Sequence, residues 1–568
     1  VVVARLDARR LVGLAVLLSL FLVGLTVPVH AATPPAGSVW SQAWITTADG
    51  EKLHADILRP TGYNTDNKTP VILVVSPYIG ESGGPDPRFN DFFDGAKVFE
   101  RGYSVVMVSL RGTGGSTGCL DILGPGEQLD VVNSVEWAAS QPWSTGKVGM
   151  YGKSYDGNTG VVGAALRPAG LSAVVAQEIS PDRYRGSYQD RVRLMQSLLY
   201  PSATYGTQAE GQFDAGNEPD YIANSASRSA DCQAGFVDHY RDDESSPFWR
   251  SRDFVDRAQG STVPTFITTG YVDPATNIGA GAVDFYNALA GPKKLWIGWW
   301  DHVRGGDMVG NRLAMGRAGF YDEVMRFYDQ HLKGIAPTVS DPVIAAQGSD
   351  GTWRSETAFP PADAGMYTSS LRSGSYVDDG RNVGSNDSAA GPGGNGSIGT
   401  KAIGAGAWTV SPPLLHRAQM TGIPLANVNV TPKLPNTNIA VNVYDIDSAG
   451  KATMITRGTA LVDAAGSKKV TMWPTDWTFE PGHRVGVLVS GANAEAFAHV
   501  PTQTTVTVVG GTIGLPFVRY ERPSDLAGDP APRLQSWKQN APFAVPAGTV
   551  EQRVNIDFRL PPPLTPRL

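Results

Sequence analysis

The stretch "MYGKSYDG", Met150 to Gly157, sets a serine between two glycines directly after a short apolar run. A strand that turns sharply into a helix would hold Ser154 on that turn, with its hydroxyl exposed at the end of a sheet. The familiar form of the turn reads Gly-x-Ser-x-Gly, whereas here the second glycine stands one place late. The rival reading makes Ser154 a helix N-cap, a position that serine favours. The surrounding sequence must decide, because a nucleophile needs strands on both sides and partners further along.

Those strands are present. "TPVILVVSPY" (Thr69 to Tyr78) and "GYSVVMVSLRG" (Gly102 to Gly112) are continuous β-branched apolar runs, the kind buried on both faces of a parallel sheet. Helical patterns, "FNDFFDGAKVFER" and "GEQLDVVNSVEWAASQ", lie between and after them. "KVGMYG" then reads as the strand before Ser154, "NTGVVGAALRP" as a helix closed by Pro168, and "LSAVVAQ" as the next strand. Ahead of all these, "VWSQAWITTADGEKLHADILRP" predicts two strands around the turn at Asp49-Gly50. Alternation of strand and helix is the α/β pattern.

From Asp182 to Thr262 the chain becomes polar and aromatic. Helical fragments such as "RYRGSYQDRVRLMQSLLY" appear and no strand signal does, which predicts a helical cap inserted over residues 182–262. The sheet pattern resumes with "VPTFITTGYVDP" and "KKLWIGWWDH", and the helix "YDEVMRFYDQHLKG" stops at Gly334 with Pro337 beyond. The α/β domain thus spans 38–181 and 263–335. Over 336–568, "NIAVNVYDID" and "HRVGVLVSG" alternate apolar with polar residues, and turns recur closely. That pattern predicts an all-β sandwich or jelly roll, with Asp378 to Thr400 as a long loop inside it.

A chain of 568 residues exceeds one core, which agrees with this division. Its net charge of −7 gives no electrostatic reason to expect nucleic acid or an anionic membrane as partner. At the N-terminus Arg5, Arg9 and Arg10 precede the apolar run Leu11 to Val27, and "VHA" (Val29 to Ala31) supplies small residues for cleavage. Residues 1–31 are expected to be a secretory signal peptide. The alternative is a single membrane anchor. With cleavage, the mature chain is secreted and keeps no membrane association. Two cysteines in an exported chain, Cys119 and Cys232, allow one disulfide; two unrelated buried thiols are the other reading.

Serine catalysis requires a base for the hydroxyl proton, an acid to orient the base, and donors for the oxyanion. In α/β-hydrolases the first three occur in the order Ser, Asp or Glu, His. Ser154 after "KVGMYG", Asp273 after "VPTFITTG" and His302 after "KKLWIGWW" satisfy that order, each at the end of a strand. Asp273 could instead begin a turn before Pro274, and Asp301 is a rival acid beside His302. No His-Glu-x-x-His or clustered Cys/His spacing suggests a metal. "RGTGGSTG" lacks the Lys-Ser/Thr ending of a phosphate loop, so no cofactor is expected.

Taken together, "RGTGGSTG", "EWAASQPWSTGKVGMYGKSYDG", "GYVDP", "WWDH" and "FYDQHLKG" resemble the X-prolyl dipeptidyl-peptidase and cocaine-esterase family of serine hydrolases. The likeness runs through "QGSDGTW" and "VNVYDIDSAG", covering nearly the whole mature chain. It implies an α/β-hydrolase core and accounts for the late glycine, since that family uses Gly-x-Ser-Tyr-x-Gly. It also implies roles: Ser154 nucleophile, His302 base and then acid, Asp273 orienting carboxylate, with the Tyr78 hydroxyl and the Tyr155 backbone N–H forming the oxyanion hole. Asp156 departs from the family, where small or apolar residues follow the tyrosine. It is either a carboxylate at a helix N-terminus or a group that binds a substrate amine. Arg111 reads as structural.

The resemblance leaves two substrate classes, X-Pro peptides with a free N-terminus and small esters or amides. No long N-terminal helical domain of the kind in some X-prolyl peptidases is expected here, which weighs against the peptidase; acidic residues in or near the cap (Glu178, Asp182, Glu210, Asp214) either serve an amine or are simply solvated. From another class altogether, an inert core with a polymer-binding β-sandwich is the alternative. Oligomeric state is not legible.

Overall fold

The computed structural model describes residues 34–79, 89–199, 232, 237–276, 278–380, 406–493, 495–540 and 543–566. The signal-peptide expectation, Glu210, Asp214 and most of the glycine-rich loop therefore lie outside the described residues.

The first sheet comprises β1 (Ser38–Thr46), β2 (Lys52–Pro60), β3 (Thr69–Ser76), β4 (Ser104–Ser109), β5 (Ser144–Lys153), β6 (Leu171–Gln177), β7 (Thr265–Gly270), β8 (Lys293–Gly298), β9 (Ile344–Gln347) and β10 (Trp353–Glu356). They lie side by side in the order β1-β2-β4-β3-β5-β6-β7-β8-β9-β10. From β4 to β9 neighbours are parallel; β2 is antiparallel to β1 and β4, and β10 to β9. The β1–β2 turn falls at Asp49-Gly50, where Gly50 has φ 95°.

The apolar runs are continuous because both sheet faces are covered. Val71, Leu73, Val75, Val106 and Val108 join one hydrophobic cluster, while Ile72, Val74, Val105 and Met107 join another. That two-residue alternation sends neighbouring side chains to opposite faces. Helices Pro125–Ser140 and Tyr155–Leu166 (α2 and α3) supply Val131, Val135, Val161 and Val162 to the first cluster. Helices Asn90–Gly95 (α1) and Phe320–Lys333 (α4) supply Phe92, Phe93, Val324, Met325 and Leu332 to the second. Each such side chain contributes about 1.5–3 kcal/mol by leaving water. Gly334 ends α4 in the left-handed conformation, as its place before Pro337 predicts.

Three expectations need correction. The segment 183–199 is not helical along its length. It holds a two-residue hairpin, Tyr188–Gln189 against Val192–Arg193, and only a short helix, Gln196–Leu199. The first sheet also runs past residue 335, since β9 and β10 belong to it and not to the β domain. Helix α1 is shorter than "FNDFFDGAKVFER" suggests and stops at Gly95.

The C-terminal part is an antiparallel β domain of two sheets. One centres on Thr505–Phe517, which pairs with Gly365–Leu371, Gly374–Val377, Ala418–Gly422 and Leu425–Thr431. The other has Thr437–Ile446 between Lys451–Val462 and Arg484–Ser490. This domain is fastened to the first sheet by buried Arg354, which pairs with Glu356 at 2.9 Å and with Asp476. It meets the insertion through Met195 N–H, which donates to the Ala496 carbonyl at 2.9 Å.

Cys119 and Cys232 are joined in a disulfide, with their Cα atoms 5.1 Å apart and a sequence separation of 113. The bridge ties the loop after β4 to the insertion. Closing so long a loop restricts the unfolded chain, and a Cys119→Ser/Cys232→Ser protein is expected to lose about 2–5 kcal/mol. Chemical denaturation with and without reductant checks this; identical midpoints would contradict it.

Candidate active site

The sheet reverses its winding between β3 and β5, since β3 leads to β4 on one side while β5 lies on the other. In open α/β sheets a crevice opens beyond the carboxyl ends of the strands at such a point. Tyr78 follows β3 there and Ser154 follows β5.

Ser154 has φ 66° and ψ −122°, between Lys153 at the end of β5 and Tyr155 at the start of α3. Such a conformation costs a non-glycine residue about 1–3 kcal/mol and survives only where its surroundings impose it. Here the Ser154 N–H donates to the Gln177 carbonyl at 2.9 Å, and the Ser154 carbonyl accepts from Asn158 N–H at 2.9 Å. The glycines explain the late spacing. A Cβ on Gly152 would lie 2.3 Å from the Asp156 backbone, and one on Gly157 would lie 2.6 Å from the Gln177 carbonyl oxygen. The second glycine therefore stands where β6 crosses the new helix, one residue later than in the familiar form.

His302 is carried by the segment after β8, and two buried tryptophans fix that segment. Trp299 Nε1 donates to the Asp476 carbonyl at 2.9 Å, and Trp300 Nε1 to Glu178 Oε1 at 2.9 Å. His302 Nδ1 lies 2.8 Å from Asp273 Oδ2. Asp273, in the turn after β7, also accepts from Ala275 N–H at 2.7 Å and Thr276 N–H at 3.2 Å on Oδ1, and from Thr276 Oγ1 at 2.5 Å on Oδ2. Burial alone would raise its pKa, but the charge of His302 and these hydrogen bonds hold it well below the ordinary carboxylate range. Asp273 is thus an ionised acceptor that fixes the proton on Nδ1 and leaves Nε2 as the basic nitrogen.

Glu178 joins the three strand ends behind this pair. Its carboxyl accepts from Thr268 Oγ1 at 3.1 Å, Trp300 Nε1 at 2.9 Å and Gly270 N–H at 3.0 Å. Burial, then the charge of Asp273, pushes it well above its usual range. It does not line the cavity.

Ser154, His302, Tyr78 and Tyr155 line one cavity of about 340 Å³. The Tyr78 ring meets that of Tyr155 edge-on at 6.4 Å. The Tyr155 hydroxyl is engaged elsewhere, donating to Glu127 Oε2 at 2.5 Å and accepting from Leu123 N–H at 3.1 Å. Its backbone N–H belongs to the first turn of α3, where no intrahelical acceptor exists. Among the described residues no group of three or more His, Cys, Asp or Glu is arranged to hold a metal ion.

Other sequence candidates fall elsewhere. Asp156 is buried in the first turn of α3 and is not among the cavity's lining residues. Asp182 accepts from Arg185 N–H at 3.0 Å, also away from the cavity. His302 Nδ1 meets Asp273 and not Asp301. Arg111 pairs with Asp130 at 2.7 Å and Asp49 at 2.9 Å, a structural role. Sequence reading missed Lys153, Asn158, Arg183 and His239, all of which line the cavity. Lys153 and Asn158 flank Ser154 closely enough to have been found; Arg183 and His239 come from the insertion, where no motif marks them.

Comparison with known proteins agrees with this architecture. Residues 49–304 match the family model described as X-Pro dipeptidyl-peptidase (S15 family), and residues 338–527 that of the X-Pro dipeptidyl-peptidase C-terminal non-catalytic domain. The chain is 25% identical over 501 residues to a Streptomyces avermitilis protein provisionally named Xaa-Pro dipeptidyl-peptidase, covering 76% of this chain and 69% of that one. It is 28% identical over 378 residues to the cocaine esterase of a Rhodococcus species, covering 58% and 62% respectively. A solved α-amino acid ester hydrolase superposes with a TM-score of 0.66 at 17% identity, over 87% of this chain and 99% of that one, a likeness of fold.

Proposed function

We propose, for a chain that belongs to the X-Pro dipeptidyl-peptidase (S15) and cocaine-esterase family of serine hydrolases, that it cleaves an ester or amide through an acyl-enzyme on Ser154. The observation that carries this reading is the meeting in one cavity of Ser154, on its strained turn, and His302, whose Nδ1 is held by Asp273. His302 Nε2 takes the Ser154 proton as Oγ attacks the carbonyl carbon. The imidazolium, stabilised by Asp273, returns that proton to the leaving group, and water repeats the sequence to free the acid. The Tyr78 hydroxyl and the Tyr155 N–H receive the oxyanion. Tyr78→Phe is expected to lower kcat by about 10²–10³ with little change in KM, the usual effect of losing one such donor. Steady-state kinetics check this, and an unchanged kcat would remove Tyr78 from the oxyanion hole.

Three substrates separate the peptidase from the esterase: an Ala-Pro anilide, its N-acetylated form and a simple aryl ester, with Ser154→Ala as blank. Turnover of the free-amine anilide alone supports an X-Pro dipeptidyl-peptidase, the activity in the family model's description. Turnover of the ester alone supports an esterase. Equal rates for Ser154→Ala and wild type would sink the proposal.

Export is part of the same reading. The arginine-led apolar segment ending at Ala31 supports it, and so does a disulfide, which persists in oxidising compartments. A mature chain beginning at Ala32 in the culture medium is the expected finding, and an unprocessed chain confined to the cytoplasm is the contrary one.

A further inference from the structure

The cavity around Ser154 contains a cation that the reaction does not use. Arg183 lines it and is buried, with 8% of its surface exposed. Its Nε has no hydrogen-bond partner, and its guanidinium forms no ion pair among the described residues. A buried charge in that position is costly unless an anion joins it.

Among the described residues, nothing lining the cavity supplies the anion. No aspartate or glutamate is among the residues lining the cavity. The adjacent buried arginines add to the positive charge and are themselves bonded to neutral carbonyls. Arg193 Nη1 donates to the His239 carbonyl at 2.5 Å, and Arg252 Nε to the Ile122 carbonyl at 2.9 Å. His239, also in the lining, is held well below its ordinary pKa by burial and then by Arg193, Arg183 and Arg252, and so is neutral. Lys153, in the same lining, is held below its ordinary range by burial, against which the charge of Asp273 acts. Among the described residues, Arg183 is the nearly fully buried cation of the lining that has no ion pair and an unpartnered Nε.

We infer that Arg183 receives a carboxylate of the substrate, so that this enzyme acts on acidic esters or amides. The inference deepens the serine-hydrolase reading and rests on it for the cavity being the acyl-transfer site. Guanidinium binds carboxylate through two parallel N–H donors, a stronger and more directional contact than a neutral hydrogen bond. The same charge repels the ammonium group of a free peptide N-terminus, so discrimination works in both directions. The carboxylate can belong to the acyl part or to the leaving group, and two substrate pairs distinguish these.

The first pair is mono-4-nitrophenyl adipate and its methyl ester, with the charge on the acyl chain. The second is 4-acetoxybenzoate and its methyl ester, with the charge on the leaving group. In one pair the acid is expected to exceed its methyl ester in kcat/KM by about ten- to a hundred-fold, mainly through KM. Arg183→Gln should bring that ratio to about one, and Arg183→Lys should keep part of it, with melting temperatures confirming that both variants fold. Methyl esters that match or exceed the acids in both pairs, or a ratio unmoved by Arg183→Gln, would overturn the inference. Equilibrium titration of Ser154→Ala protein with adipate tests the site without turnover. Binding that is lost in Ser154→Ala/Arg183→Gln supports it, and no binding to Ser154→Ala overturns it. Failure of the nucleophile assignment would show separately, as Ser154 that no acylating reagent labels.

Discussion

Ser154→Ala is expected to lower kcat by about 10⁶-fold, the scale seen when a serine nucleophile is removed from a triad that acts as a unit. The substitution deletes the atom that bonds to the acyl carbon and leaves the turn intact, because alanine at φ 66° carries the same strain as serine. Ser154→Gly separates the two roles of the position. It removes the nucleophile and also the strain, which glycine does not feel. Ser154→Gly should therefore be as inactive as Ser154→Ala yet more stable than wild type by about 1 kcal/mol, after allowing for the extra freedom of glycine in the unfolded chain. Denaturation curves and single-turnover rates on the three proteins check both halves. A Ser154→Gly protein less stable than Ser154→Ala would mean that the turn is relaxed.

The second large effect is expected at Asp273. In Asp273→Asn the side-chain oxygen is fixed on the Oδ1 side, because two backbone N–H groups, from Ala275 and Thr276, already donate there. The amide NH₂ then occupies the Oδ2 side and faces His302 Nδ1, which lies 2.8 Å from Oδ2 in the native site. A donor in that place requires Nδ1 to accept, and the imidazole proton moves to Nε2. The nitrogen that should take the Ser154 proton then already carries one, and kcat is expected to fall about 10⁴-fold with geometry unchanged. The loss should be much smaller in Asp301→Asn, since Asp301 does not meet His302 Nδ1. Comparable losses in both variants would contradict the assignment of the acid.

The sequence carried the sheet but not the cavity, for a physical reason. Strands β3 and β4 were legible because both faces are buried, so almost every position had to be apolar and most of them β-branched. The triad candidates were legible because each follows such a strand directly. The hairpin at Tyr188–Arg193 was not. Its two-residue turn, Asp190-Arg191, has positive φ at both positions, 45° and 71°, yet lacks the Asn-Gly or Asp-Gly pair that announces such a turn. Contacts far along the chain hold it instead. Arg191 pairs with Asp463 at 2.7 Å and Asp190 with Lys468 at 2.9 Å, both from the β domain. The extension of the sheet by β9 and β10 was hidden similarly, because a short strand carries no mark of the sheet it joins. Arg183 was invisible for a third reason. Its burial, and the lack of a carboxylate beside it, are properties of the assembled cavity and of no local pattern.

The central claim is that Ser154 accepts the acyl group. The most direct measurement is the intact mass of the mature protein after treatment with a fluorophosphonate, followed by peptide mapping. One adduct per chain is expected, located on Ser154 and absent from Ser154→Ala, with its formation greatly slowed in Asp273→Asn. An adduct on another residue, or none on a folded protein that still hydrolyses its ester, would contradict it.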